Sequence, residues 1–171
     1  MTNLTTGPAY VDASTTPVLN HVDFLCRVLL GGAATDGAFS LVEERGALGC
    51  MTPRHVHERE AETFIVLEGA LEGWCEGSAQ LVEAGSLLHL PANKEHAFRV
   101  ASATARFYTL ITPSGFEDFF PASGVPVDQL FDGELPVPGP PPPEAVGRLA
   151  EVAEGFGCRI TGPPPFGPPE A

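Results

Sequence analysis

The chain has 171 residues, 43% of them hydrophobic, which is enough for one well-filled core and short of two ordinary domains. Its 22 acidic and 9 basic side chains leave a formal net charge of -13, which repels phosphate backbones and anionic lipid surfaces. The opening MTNLTTGPAYVD has neither a basic n-region nor an apolar stretch, and no window approaches the about 18 apolar residues of a membrane span. These features lead to the expectation of a soluble, cytoplasmic protein without nucleic-acid or membrane partners.

From about residue 21 to 112 the sequence falls into short apolar runs: VDFLCRVLL, GAFSLVEE, TFIVLEG, LEGWCEG, AQLVEAG, SLLHLP, HAFRVA and ARFYTLIT. Gly, Pro, Asn or charged clusters separate them, and no long helical period interrupts them. Runs spaced this closely predict an all-β sandwich or barrel of antiparallel strands. Cys26, Cys50, Cys75 and Cys158 lie far apart without a CxxC pair, and they read as reduced, mostly buried small hydrophobes.

Beyond Pro113 the composition changes, because 13 of the 18 prolines fall between Pro121 and Pro169. Such a density is expected not to continue a sheet. Within it, Glu144 to Phe156 places Val146, Leu149, Ala153 and Phe156 on one helical face, with Pro143 at a permitted first-turn position. The expected organisation is a single barrel with an N-terminal arm over residues 1–120. A Pro-rich extension over 121–171 carries one amphipathic helix at about 144–156 that packs back on the barrel. The closing PPPFGPPEA has little to bury and is expected to fray.

The stretch RHVHEREAETFIVLEG, residues 54–69, concentrates ionisable groups directly against an apolar run. His55 and His57 are two apart, which puts both rings on one face of a strand. Glu62 opens the next run and shares by alternation the face of Phe64 and Val66. If that face is the interior, a carboxylate sits inside it, and a lone buried carboxylate is costly unless protonated, paired or bound to a metal. The two histidines favour the metal, and His96 can add a third imidazole from another strand. Three nitrogens and one carboxylate oxygen suit one divalent transition ion: Ni, Fe, Mn, Co, Cu or Zn. Glu60 is an alternative to Glu62 if the turn is tighter. His21 and His89 read as core or rim residues.

These residues resemble the cupins. The first cupin motif, G-x5-H-x-H-x4-E-x6-G, is matched by Gly49, His55, His57, Glu62 and Gly69. The second is matched by Gly85, Pro91 and His96, with Asn93 in place of its third glycine and Val100 in place of its final Asn. The resemblance implies a cupin fold, a double-stranded β-helix or jelly-roll barrel, and the ligand set His55, His57, Glu62 and His96.

A narrower similarity, to single-domain quercetin 2,3-dioxygenase-like cupins, is carried by GAFSLVEERGALGCMTPRHVHEREAETFIVLEG, HLPANKEHAFR and TPSGFEDFF. It implies a dioxygenase that opens a flavonol-like or other enolic aromatic with O2, with Glu62 as ligand and general base. A non-oxidative isomerase, a polyketide cyclase and a non-enzymatic binding cupin stay open as alternatives. The family also implies a homodimer, and Ile65 and Leu67 offer apolar groups opposite Glu62 for it. After Gly69, the alternation puts Leu71, Gly73 and Cys75 inward. With Met51, Phe64, Val66 and Phe98 they form the expected substrate pocket, in which Gly73 and Cys75 leave room unless neighbours such as Phe107 or Tyr108 fill it.

Overall fold

Alternation makes the strands. In Ala61–Glu68, Glu62, Phe64 and Val66 are buried while the residues between them are partly open, the period-two pattern of a sheet with one face on the core. The computed structural model describes residues 7–167. Among these residues the first strands are β1 (Leu19–His21), β2 (Phe24–Leu30), β3 (Ser40–Ala47), β4 (Arg54–His57), β5 (Ala61–Glu68) and β6 (Ala70–Cys75). They are followed by β7 (Ser78–Glu83), β8 (Leu87–Leu90), β9 (His96–Val100), β10 (Thr104–Thr112), β11 (Val125–Pro126) and β12 (Cys158–Gly162).

The strands form two antiparallel sheets, in the orders β11-β1-β2-β3-β10-β5-β8 and β12-β4-β9-β6-β7. Side chains of both sheets meet in a core that includes Phe24, Phe64, Leu71, Phe98, Val100 and Phe107. This is the antiparallel all-β barrel that the spacing of the apolar runs predicts, with the jelly-roll form that the cupin resemblance implies.

Two turn positions explain the motif glycines. Gly69 has φ 72°, and a Cβ there would strike the Thr104 carbonyl, so the β5–β6 junction admits no side chain. Asn93, which replaces a motif glycine, has φ 61° and takes the left-handed conformation that asparagine tolerates.

The run VDFLCRVLL holds one strand, β2, preceded by two turn residues. Val22 and Asp23 have φ of 51° and 64° and make the two-residue turn that joins β1 to β2. A β-branched residue rarely takes positive φ, so the sequence carries no turn signal there.

The expectation that the Pro-rich region cannot join a sheet is overturned at two places. Val125–Pro126 pairs with β1, and the proline-free run Cys158–Gly162 pairs with β4, which extends the five-stranded sheet. Proline density breaks a ladder only where proline itself must donate, and β12 has none. The predicted helix is present as α3 (Pro143–Gly155), after the short helices α1 (Gly32–Thr35) and α2 (Phe119–Ser123). Leu149, Val152, Ala153 and Phe156 pack with Phe116, Phe119 and Phe120 in a second apolar cluster. Val146, expected on the same face, is 39% exposed. Of the closing PPPFGPPEA, the residues beyond Gly167 lie outside those described. Before them, Arg54 and Arg99 donate hydrogen bonds to the Pro163 and Gly167 carbonyls.

Candidate metal centre

Register brings the predicted ligands together. β4 carries His55 and His57 on one face, as the two-residue spacing requires, and His55 lies directly opposite His96 on β9. Glu62 enters from β5 in the facing sheet. All four side chains are buried, and one donor atom from each lies within 4.8 Å of the others. Glu62 Oε2 is 3.3 Å from His96 Nε2, and Glu62 Oε1 is 3.6 Å from His57 Nε2. Donors held about 2.1 Å from a shared ion lie roughly 3 to 3.4 Å apart, so these separations fit an ion with little adjustment.

Two of the rings are fixed for this role by backbone carbonyls. His55 Nδ1 lies 2.8 Å from the Pro53 oxygen, and His96 Nδ1 lies 2.9 Å from the Lys94 oxygen. A carbonyl can only accept, so each Nδ1 carries a proton and each ring turns its Nε2 towards the centre. His57 is buried with both ring nitrogens unpartnered among the described residues, an arrangement that costs free energy unless something occupies the centre.

The electrostatics agree with the geometry. Burial, reinforced by its two histidine neighbours, pushes His55 down to about 3, and burial also lowers His57. Burial alone would raise Glu62, but His57 and His96 outweigh it and hold the carboxyl at about 2. Neutral imidazoles beside an ionised carboxylate are the protonation states a metal requires. Burial lowers His96 in turn, and the hydrogen bond and charge of Glu62 more than reverse that. Glu60 is buried next to Arg59 and lies outside the four-residue group, so the geometry selects Glu62.

His55 and Glu62 open onto a cavity of about 70 Å³. Phe64 and Phe98 line it, as expected. The other five expected pocket residues do not. Val66 and Leu71 belong to the packed core, Cys75 packs against that core, and Met51 sits in a bridge to Arg99. Gly73 borders no free space, because the Leu88 side chain fills the volume that a Cβ would take.

The remaining cavity wall comes from three elements: the aromatic run Phe116, Phe119 and Phe120, then Leu149 and Ala153 of α3, then Cys158 and Ile160 of β12. Polar residues outside the four-residue group also line it, Thr52, Glu44 and His21. Glu44 accepts a hydrogen bond from Thr109, and burial pushes its carboxyl up to about 8, so it is neutral at pH 7. His21, expected in a satisfied core or rim environment, is instead a wall residue with an unpartnered nitrogen. His89 is a rim residue whose Nδ1 lies 2.9 Å from the Thr63 hydroxyl.

Three histidines and a glutamate thus meet at one buried point between the two sheets, a group that could hold a metal ion. Residues 46–111 match the family described as "Cupin domain". Over 106 residues the chain is 35% identical to a quercetin 2,3-dioxygenase of Bacillus subtilis (strain 168), which covers 62% of this chain and 32% of that protein. It is 26% identical over 105 residues to a quercetin 2,3-dioxygenase of Aspergillus japonicus, covering 56% of this chain and 29% of that one. The chain thus spans about a third of the length of these curated relatives.

Among solved structures, an RmlC-like cupin from Shewanella frigidimarina superposes with TM-score 0.57 at 16% identity, over 68% of this chain and 99% of that one. The polyketide cyclase RemF of Streptomyces resistomycificus superposes with TM-score 0.54 at 22% identity, over 63% and 81%. These likenesses establish the fold.

Proposed function

We propose that the protein is a metal-dependent cupin dioxygenase that opens a flavonol-like or other enolic aromatic with O2. One observation carries the reading: four buried side chains of metal-ligating types converge where an apolar cavity begins. The names of the curated relatives supply the reaction class. His55, His57, Glu62 and His96 would hold one divalent transition ion, Ni, Fe, Mn, Co, Cu or Zn, whose Lewis acidity would act on the enolic oxygen of the substrate.

The chain's own residues do the rest. Glu62 is ionised at neutral pH and stands ready to accept the enol proton. Phe64, Phe98, Phe116 and Phe119 give flat apolar surfaces that orient an aromatic ring and exclude water. In the ring opening of a flavonol, both atoms of O2 enter the product and carbon monoxide leaves. The reading includes a homodimer as the assembly. It also includes a cytoplasmic setting, consistent with four free cysteines.

The cavity volume supports a second reading. At about 70 Å³ it is far smaller than the about 300 to 1,000 Å³ of sites that enclose drug-sized ligands. A flavonol therefore requires the Phe119, Phe120 and Leu149 wall to move outward. A single-ring or acyclic enolic compound, isomerised or cyclised on the same centre without oxygen, requires less movement.

The test begins with metal analysis. Wild type is expected to carry one equivalent, and His57→Ala and His96→Ala, purified folded, are expected to lose it; full retention in both variants would sink the metal site. Incubation with a flavonol panel in air should consume O2 and release CO in equal amounts. Turnover without O2 selects the second reading. Glu62→Gln is expected to bind metal more weakly and to lose about 10²- to 10⁴-fold in turnover, the usual weight of a general base.

A further inference from the structure

Outside the cage, one polar side chain in the cavity has nothing to bind. His21 is nine-tenths buried, its ring lies edge-on to Phe119 at 5.1 Å, and the Phe120 ring is 5.3 Å away. Its Nε2 has no hydrogen-bond partner among the described residues. The same cavity is lined by His55 and Glu62 of the cage, so a ligand seated there faces the donors at one side and His21 at another. The backbone shows that this placement is held at a cost. His21 ends β1, and the next residue, Val22, also lines the cavity in a left-handed conformation, φ 51°, that β-branched residues avoid. A core that needed only apolar filling at this point would be better served by leucine or phenylalanine.

We infer that His21 is a second ligand-binding point, which takes a hydroxyl or carbonyl oxygen of the substrate remote from the edge that meets the cage. This inference rests on the enolic-aromatic reading above and narrows it to compounds with two polar edges on one flat body. A neutral imidazole serves either kind of oxygen, as donor to a carbonyl or as acceptor from a hydroxyl. The surrounding rings make the interaction selective, because a ligand without that oxygen leaves the buried nitrogen unpaired. Glu44 and Thr52 are further polar residues on the wall, but Glu44 is already engaged by Thr109, and the Thr52 hydroxyl accepts from the Phe98 amide. His21 differs from both in having a buried ring nitrogen with no partner among the described residues.

The test uses zinc-loaded full-length protein, in which ligands bind without being oxidised, and isothermal titration. The first pair is 3-hydroxyflavone, which has the chelating edge alone, and quercetin, which has the same edge and hydroxyls on both outer rings. Wild type is expected to prefer quercetin by about three- to tenfold, the worth of one neutral hydrogen bond. His21→Phe is expected to erase the preference by weakening quercetin only, and His21→Gln to keep part of it. An undiminished preference in His21→Phe overturns the inference. If wild type binds neither flavonol, the flavonol reading falls, and His21 is judged on phenol against toluene, near-isosteric single rings. A ratio that drops in His21→Phe supports the binding point, and an unchanged ratio overturns it.

Discussion

At the scale of single residues, this fold gives up stability where buried polar groups lack partners, and His21 shows the cost most plainly. Burial holds its imidazole at about 4, against 6.5 for an exposed one. In the folded state it stays neutral between those values, while in the unfolded chain it takes up a proton as pH falls below about 6.5. The unfolded state therefore binds more protons in that window, and the stability present above 6.5 is lost as pH falls towards 4. For metal-free protein, His21→Phe is expected to unfold with a weaker acid dependence, the gap to wild type widening by on the order of 2 to 3 kcal/mol between pH 6.5 and 4. His55 and His57 titrate in both proteins and cancel from the comparison. Parallel stability curves over this range, measured by urea titration, would refute the assignment. The four cage residues were legible in the sequence because a spacing of two fixes a shared face and because a carboxylate among apolar residues demands a partner. His21 was not legible, since nothing near it in sequence tells a wall position from a packed one; the distinction depends on Phe119 and Phe120, about a hundred residues away.

At the scale of elements, the strands from β2 to β10 were readable because each is a short run bounded by turn or charged residues, and β4, β5 and β10 alternate in burial. The extension was readable only in part. Its helix was visible from the spacing of Leu149, Ala153 and Phe156, but β12 was not, because five residues between a glycine and a triple proline carry almost no pattern of their own. β12 is made a strand by β4, whose outer edge would otherwise stand unpaired next to the cage: Cys158 lies opposite His57, and Ile160 opposite His55. One helix and one strand from the Pro-rich region thereby become a wall of the cavity. Ala153 tests this role. It is 1% exposed and lies on the cavity side of α3, so Ala153→Leu places two more branches and a methylene into apolar space. The variant is expected to keep its metal, to change in stability by less than about 1.5 kcal/mol, and to lose at least about tenfold in affinity for aromatic ligands. Unaltered affinity would remove α3 from the binding site.

At the scale of the whole molecule, the outer face of the seven-stranded sheet is covered unequally. Across β1 and β2, the extension lays Val127, Phe131 and Leu135 over Val18 and Leu25, and Arg27 and Arg106 pair with the buried Glu43. The far side of the same sheet has no such cover among the described residues. There Leu67 is 37% exposed and Leu87 is 64% exposed, with the half-buried Ile65 directly opposite Leu87 in the ladder and Tyr108 opposite Ile65 on the other side. The described part of the extension packs elsewhere and leaves Ile65 and Leu67 uncovered by it. Apolar groups in register at a sheet edge, β8, are a surface that a second copy can match by a twofold axis, because each copy presents the same patch. The net charge of -13 opposes random association, so a pair that forms despite it must bury this patch specifically. Sedimentation equilibrium at micromolar concentration is expected to give twice the chain mass. Leu87→Glu, an exposed position with little to lose in folding, is expected to give the monomer while keeping the metal. A wild-type protein that sediments as a monomer at that concentration, or a Leu87→Glu variant that remains a dimer, would move the interface away from the β5–β8 face.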